Sequence, residues 1–482
     1  MPGTVRFVLG DRVVEVSDPD PTTTVLQWLR AQGRTGTKEG CAEGDCGACT
    51  VVLGSVDDGR ISYRAVNACI LFLPMLDGRQ LLTVEDLREP RGPLHPVQQA
   101  LVDHHGSQCG FCTPGFVMSL FAEFHREEGL KDEEGIQDAL AGNLCRCTGY
   151  RPILDAARRV GAASRADRFA VEEPRMLALL EGLRRDTGLA LTGPDGRRWF
   201  APRCLAELQA LLDAHPDATL LAGATDVGLW VTKQHRRPDP VVWLGDVAEL
   251  RRIAQEPDRI VLGAGVSYAA ALPVLASRWP AFGALVRRLG SAQIRNSGTI
   301  GGNIANASPI GDGMPALIAL GARLILNRAG LRRTIPIEDY FLGYRRTALL
   351  PGEFLEAVEV PSVPGGTFAT YKVSKRRDQD ISAVAAGFSV TLEEGVVTEA
   401  RLAFGGMAEI PKRAAGAEAA LVGRPWTLET VAAAMEALGT DFAPLNDMRA
   451  SAAYRILVAR NLLMRFHLES TGQAELLEAA DA

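Results

Sequence analysis

The chain has 482 residues, too many for one typical core and enough for about three or four domains. It is 47% hydrophobic and 23% charged, the balance of a globular, water-facing protein, and a formal charge of −6 counts against nucleic acid or an anionic membrane as main partner. No basic-then-apolar leader and no apolar run long enough to cross a bilayer is visible, which predicts a cytoplasmic protein with no membrane partner.

The first segment, residues 1–83, reads as short strands with one helix. "TVRFVLG" and "RVVEVS" alternate around Gly10-Asp11, a hairpin signal, and "TTTVLQWLRAQG" is a helix opened by a threonine cap and closed by Gly33. Residues 84–165 change to helical periodicity and contain an internal echo. A helix, a cysteine pair and a proline-opened helix come twice, with Pro114 and Pro152 at positions where a missing N–H costs nothing. Two such halves pack most simply as a four-helix bundle with a metal site between the loops. Residues 166–194 look like a connector with a short helix inside it. From 195 to 365 strand and helix alternate, which favours parallel strands with crossover helices. Residues 366–475 open with longer alternating strands and end in helices. The fold class is therefore multidomain α+β.

All nine cysteines lie in the first 204 residues, and eight of them fall between positions 41 and 147. In a large chain without an export signal, such grouping indicates metal ligands or redox groups rather than disulfides. Cys204 stands apart and reads as an ordinary small buried residue. Cys41, Cys46 and Cys49 give C-x4-C-x2-C with Cys69 twenty residues later, the spacing of a plant-type [2Fe–2S] cage. Gly40, Gly44 and Gly47 between them let backbone N–H groups approach the sulfurs, which a zinc clip does not need. The second set, Cys109, Cys112, Cys145 and Cys147, would hold tetrahedral zinc as well as iron when read alone, and beside a ferredoxin-like cage it reads as a second cluster.

"CAEGDCGACTV…NACI" followed by "QCGFCTPG…NLCRCTGYRPI" resembles the iron–sulfur portion of the molybdenum hydroxylases, the xanthine dehydrogenase and aldehyde oxidase family. The resemblance implies a ferredoxin-like β-grasp domain holding one [2Fe–2S] cluster and a four-helix domain holding another beside a molybdopterin. It also implies that Gln108 and Cys147 lie at the pterin-facing surface.

No G-x-G-x-x-G is present; "GAGVSY" at Gly263 falls short of it, so a Rossmann site is not supported. "LLAGATDVG" runs from strand to helix through a turn whose N–H groups suit a phosphate, and "RNSGTIGGNIANASPIGD" is rich in small residues that let a cofactor lie against the backbone. By residue type alone, either could equally be a tight structural turn. Both resemble the FAD-binding segments of the vanillyl-alcohol-oxidase-type flavin domain, which is followed in the family by a C-terminal α+β flavoprotein domain. The resemblance implies FAD contacts at Leu221, Ala222, Gly223, Ala224, Thr225 and Asp226, at Thr299, Gly302, Asn303, Ser308 and Asp312, and at Leu355 and Lys372. Gly298, Asn306 and Gly311 depart from the family pattern, where bulkier or hydroxylated residues are common. "KVSKRRDQDIS" resembles the charged loop that affects access of the nicotinamide acceptor; by residue type alone it is a solvated basic turn.

The resemblance covers residues 1–475, and no segment follows that would make a molybdopterin domain. This leads to the expectation of the small subunit of a split family member, in an α2β2 heterotetramer with a molybdopterin-binding large subunit. The partner would oxidise hypoxanthine or xanthine, and electrons would pass through both clusters to FAD and then NAD. An aldehyde or other N-heterocycle hydroxylase using oxygen or ferredoxin is the first alternative. A free-standing flavin–iron–sulfur reductase is the second and a structural zinc protein the third. No acid–base or nucleophilic catalytic set is expected in this chain, and its seven histidines read as ordinary polar residues.

Overall fold

The computed structural model describes residues 3–88, 92–126, 130, 132–162, 167–362 and 365–473. The chain divides into two bodies, one formed by residues 1–248 and 290–298 and the other by 249–289 and 299–482.

The first body begins with the hairpin β1 (Thr4–Leu9) and β2 (Arg12–Ser17), which turns at Gly10 with φ +63°. Helix α1 (Val25–Ala31) starts in a capping box in which Thr24 and Gln27 satisfy each other's backbone N–H, and it buries Val25, Leu26 and Leu29. Strands β3 (Thr50–Asp57), β4 (Arg60–Asn67) and β5 (Gln80–Leu82) complete a sheet of order β2-β1-β5-β3-β4, with only β1 and β5 parallel. This mixed sheet with its helix is the expected β-grasp.

Four helices follow: α2 (Pro96–Asp103), α3 (Thr113–Phe124), α4 (Glu133–Leu140) and α5 (Arg151–Gly161). Pro96, Pro114 and Pro152 stand in the first turns of α2, α3 and α5, and the four helices share a core that includes Phe116, Phe121, Ile136 and Ile153. The expected connector holds a sixteen-residue helix, α6 (Arg168–Leu183). Its Met176, Leu180 and Leu183 fall on one face by their spacing and pack with Val8 and Ile61 of the sheet. Each such buried side chain contributes roughly 1.5–3 kcal/mol.

Strands β6 (Leu189–Thr192) and β7 (Arg198–Ala201), helix α7 (Leu205–Ala214), strand β8 (Thr219–Leu221), helix α8 (Val227–Thr232) and strand β9 (Val241–Trp243) form the last layer of this body. The sheet order is β6-β7-β9-β8, and β7, β9 and β8 run parallel as the alternation predicts. Cys204 sits at the cap of α7 and is half-buried, not buried as expected, because a helix cap lies at the edge of the layer.

In the second body, β10 (Ile253–Gln255) and β11 (Arg259–Gly263) precede α9 (Tyr268–Arg278) and α10 (Pro280–Arg287). Helix α11 (Ala292–Ser297) belongs to the first body, after which α12 (Ile300–Ala305), α13 (Gly313–Ala319), β12 (Arg323–Arg328) and β13 (Leu331–Pro336) resume the second. A small pair, β14 (Phe341–Gly343) and β15 (Arg346–Thr347), leads to β16 (Phe354–Pro361). The sheet β10-β11-β16-β12-β13 is antiparallel at every pairing, so the parallel expectation holds only in the first body. The difference arises because β12 and β13 join through a tight turn with Ala329 and Gly330 at φ +50° and +83°, too short for a crossover helix. Strands β17 (Gly366–Val373), β18 (Val384–Glu393), β19 (Val396–Gly405) and β20 (Lys412–Arg413) form a four-stranded antiparallel sheet. Helices α14 (Ala415–Leu421), α15 (Leu428–Asp441) and α16 (Ala452–Ser470) follow, sharing with that sheet a core that includes Phe388, Phe404, Leu438 and Phe466. No helix of the described residues is long and apolar enough to cross a membrane.

Two histidines read as ordinary polar residues meet at one buried carboxylate. Asp167 caps α6 by accepting the Ala170 N–H at 3.0 Å, accepts from His95 Nε2 at 2.8 Å, and lies 3.0 Å from His125 Nε2. Burial raises its pKa, but His125 and His95 more than offset this and hold the carboxyl well below its usual range. The three groups stand close enough to hold a cation. However, His95 Nδ1 accepts the Val97 N–H at 3.2 Å, so the ring proton sits on Nε2, which then has no lone pair for a metal. The cluster is a structural tie between α2, α3 and α6.

Asp167→Ala is expected to lower stability at neutral pH by about 3 kcal/mol, because it strips a buried charged acceptor from its donors. A group with a depressed folded pKa stabilises above its unfolded value of about 3.9 and loses that contribution as pH falls through the lower folded value. Urea unfolding of both proteins should therefore show a gap that persists from pH 7 to about pH 5 and closes only in stronger acid. A gap already closed at pH 5 would mean that the carboxylate is not its source.

Candidate functional site

In the first cysteine loop the four thiols lie close enough to perturb one another's ionisation, Cys41 with Cys46 and Cys69, and Cys49 with Cys69. The loop wraps around Cys41 as its glycines predict. Gly44 and Gly47 have φ +80° and +69°, and Ala42 shares this left-handed conformation. Three backbone N–H groups aim at Cys41 Sγ, from Glu43 at 3.5 Å and from Asp45 and Cys46 at 3.3 Å, and Cys41 N–H aims at Cys46 Sγ at 3.4 Å. Asn67 Nδ2 approaches Cys49 Sγ at 3.9 Å. The donors thus gather on Cys41, with one at Cys46 and one at Cys49, while Cys49 and Cys69 back onto the hydrophobic core.

These contacts decide what the donor set can do. Cys46 and Cys69 donate to Cys41 and hold its thiol far below the usual value, while Cys69 is driven far above it by Cys41 and Cys49. One thiolate in the cage therefore suppresses ionisation of its neighbours, and four can coexist only around a strong positive charge. A ferric pair supplies that charge. With amides directed at the sulfurs as well, the residues fit an iron–sulfur cluster.

The second set converges in the same way. Cys109 lies near Cys147 and Cys112 near Cys145, each pair bringing together the loops that precede α3 and α5. Burial first, and then the Cys145 and Cys109 thiols, push the Cys112 thiol up to about 12. Cys145 N–H donates to the Tyr150 hydroxyl at 3.0 Å, and Cys145 Sγ lies 3.2 Å from Thr148 Oγ1. Gln108, Cys109 and Cys147 are exposed, as are the rings of Phe111 and Tyr150 and the side chain of Leu144.

The two loops touch. Leu144 N–H donates to the Cys46 carbonyl at 3.0 Å, and a Cβ on Gly47 would stand 2.1 Å from the Gly142 carbonyl. A Cβ on Gly115, in the first turn of α3, would stand 2.2 Å from the Gly47 carbonyl. Four residues here escaped sequence reasoning: Thr50, Ser119, Asn143 and Gln293 form a buried polar network beside Gly47. Their spacing in the chain carries no signal, since the partners are 24 to 243 residues apart. Lys233, also missed, reaches the Cys41 carbonyl with Nζ and lies 3.6 Å from Glu43.

The expected flavin contacts fall in both bodies. In the first, Leu221 ends β8, and Ala222, Gly223, Ala224, Thr225 and Asp226 form the turn into α8. Ala224 is left-handed at φ +60°, and a Cβ on Gly223 would stand 1.9 Å from the Ser297 carbonyl, so position 223 admits no side chain. Asp226 accepts from Trp230 Nε1 at 3.1 Å. In the second body, Thr299 caps α12 by accepting the Gly302 N–H at 2.9 Å, and Asn303 accepts from the Tyr268 hydroxyl at 2.7 Å. Gly301 is buried, with its would-be Cβ 2.4 Å from Ala264, while Gly302 is exposed. The glycine pair therefore divides into one packing residue and one open residue, and the "GAGVSY" turn is a packing surface for Gly301. Ser308 lies in the loop that follows, where it accepts the Ile310 N–H at 3.4 Å, and Leu355 is buried in β16. Asp312 and Lys372 form a buried ion pair, joined by Ser382 Oγ at 2.5 Å. In the second body the open Gly302 backbone beside Thr299 and Asn303 leaves room for a ligand to lie against the chain.

Gly47→Ala is expected to lower bound iron per chain, whereas Gly59→Ala should leave it unchanged and cost only about 1 kcal/mol. Gly59 is equally left-handed, at φ +74°, but has nothing within 4 Å of its would-be Cβ. Equal iron content in the two variants would refute a role for the Gly47 contact in holding the loop.

Four family models match the chain in order. They are a 2Fe-2S iron-sulfur cluster binding domain at 8–73, a [2Fe-2S] binding domain at 83–158, an FAD binding domain in molybdopterin dehydrogenase at 194–363, and a CO dehydrogenase flavoprotein C-terminal domain at 369–470. The chain is similar to xanthine dehydrogenase of Emericella nidulans, at 34% identity over 98% of this chain and 39% of that protein. It is also similar to xanthine dehydrogenase 1 of Arabidopsis thaliana, at 33% identity over 91% of this chain and 37% of that protein. It thus spans about two fifths of the length of these curated relatives. Among solved structures, a chain of carbon monoxide dehydrogenase from Hydrogenophaga pseudoflava matches 55% of this chain and 94% of its own, with TM-score 0.53 and 30% identity. A chain of quinoline 2-oxidoreductase from Pseudomonas putida 86 matches 57% of this chain and 96% of its own, with TM-score 0.52 and 27% identity.

Proposed function

Given that the chain belongs to the molybdenum hydroxylase family as an iron–sulfur and FAD-binding part, we propose that it is the electron-transfer subunit of a xanthine dehydrogenase. A partner molybdopterin subunit oxidises hypoxanthine or xanthine, and this chain delivers the electrons to NAD. The observation that carries this reading is the direct contact of two four-thiol cages, made by Leu144 N–H on the Cys46 carbonyl. The identity to xanthine dehydrogenases across nearly the whole chain supports the purine. When bound, the clusters handle single electrons and the flavin converts them to the two of a hydride.

The residues of this chain have distinct roles in that reading. Cys41, Cys46, Cys49 and Cys69 hold one cluster, and Cys109, Cys112, Cys145 and Cys147 hold the other. Residues 221–226, with Thr299, Gly302, Asn303, Ser308, Asp312, Leu355 and Lys372, bind FAD. Gln108, Cys109 and Cys147, exposed beside Phe111, Leu144 and Tyr150, form the face that meets the molybdopterin subunit within an α2β2 assembly. Aromatic side chains in such a patch are the usual anchors of a protein interface. A second reading keeps the electron path but changes substrate and acceptor; it rests on the resemblance of part of the chain to carbon monoxide dehydrogenase and quinoline 2-oxidoreductase structures.

The deciding measurement is the anaerobic visible spectrum of the purified protein before and after NADH. Bleaching of a flavin–iron spectrum by NADH is expected. Bleaching by dithionite alone would remove the nicotinamide acceptor and favour the second reading. Cys147→Ser should halve the iron content with FAD retained, and unchanged iron would sink its assignment as a ligand.

A further inference from the structure

Gln293 is wholly buried on α11, and its amide nitrogen lies within hydrogen-bond distance of three oxygens from three separate elements. These are Asn143 Oδ1 at 3.0 Å, Ser119 Oγ at 3.1 Å and Thr50 Oγ1 at 3.2 Å. Each acceptor is tied to a cage. Thr50 follows Cys49, and its hydroxyl donates to the Gly47 carbonyl at 2.7 Å. Asn143 lies two residues before Cys145, and its Nδ2 donates to the same carbonyl at 3.1 Å. Ser119, on α3, donates to Asn143 Oδ1 at 2.7 Å. The other end of the Gln293 amide is left unsatisfied: Oε1 is buried without a partner, against Gly142, where a Cβ would come within 2.0 Å.

A buried carbonyl without a partner is unfavourable, so an amide at this position needs a compensating role. The amide is explained by what Nε2 does. Its neighbours on α11 hold the helix to the same two domains: Arg295 pairs with Asp138 of α4 at 2.6 Å, and Asn296 Nδ2 donates to the Ala65 carbonyl of β4 at 2.9 Å. From this geometry we infer that Gln293 is a positioning residue that fixes the spacing and orientation of the two cysteine cages. It acts through Thr50 on the Cys46–Cys49 turn and through Asn143 on the Cys145 loop. The inference rests on the reading that both cages hold clusters.

Two reduced clusters are paramagnetic, and their dipolar coupling falls with the cube of their separation, so the low-temperature EPR splitting of the dithionite-reduced holoprotein reports the spacing without turnover. Gln293→Leu is expected to retain full iron and the visible spectrum while the splitting shifts or is lost. Thr50→Val, which keeps side-chain shape and removes only the hydroxyl, should shift it in the same way and carries the test if the first variant does not fold. Wild-type splitting in either iron-replete variant would overturn the inference. Wild-type protein with iron for a single cluster would instead overturn the two-cluster reading, and the inference with it.

Discussion

The iron–sulfur part of this molecule depends on one close approach of backbone to backbone. Gly47 lies against Gly142 and Gly115 with no room for a Cβ on any of the three. Because the loops meet at glycines, the carbonyls of Cys46 and Gly47 are within reach of Leu144 N–H and Asn143 Nδ2. The two cysteine loops are thereby held against each other by backbone and amide contacts. The same loop keeps backbone N–H groups directed at Cys41 and Cys46.

Around that contact, three regions of the chain contribute to a single body. The β-grasp sheet supplies Thr50, the helical bundle supplies Ser119 and Asn143, and α11 supplies Gln293 from a distant part of the sequence. Helix α6, expected as a loose connector, closes another side by burying Met176, Leu180 and Leu183 against the sheet, while its cap Asp167 holds two histidines of the bundle. The connector is thus part of the core. The sequence predicts a short helix within a connector; the structure shows a sixteen-residue helix with Pro174 inside it.

The flavin segments illustrate a different lesson. By residue type alone "LLAGATDVG" and "RNSGTIGGNIANASPIGD" could each be a tight turn, and in the structure their glycines do different jobs. Gly223 and Gly301 are small because backbone from another segment occupies the space, whereas Gly302 leaves its surface open. A sequence reader sees only the residue type. Which glycine packs and which faces a ligand is decided by what lies opposite.

Local chemistry made much of this protein readable from its sequence. Cysteine spacing, glycines and prolines at helix starts act over a few residues, so they grouped the eight cysteines into two sets and outlined the β-grasp and helical segments. The parallel layer around β8 followed from the same kind of signal. Tertiary structure alone decided that the two cages share a carbonyl, that Gln293 joins them, that His95 and His125 meet Asp167, and that the second sheet is antiparallel throughout. These are contacts between residues far apart in the chain. Their partners are chosen by packing geometry, and no local propensity encodes that.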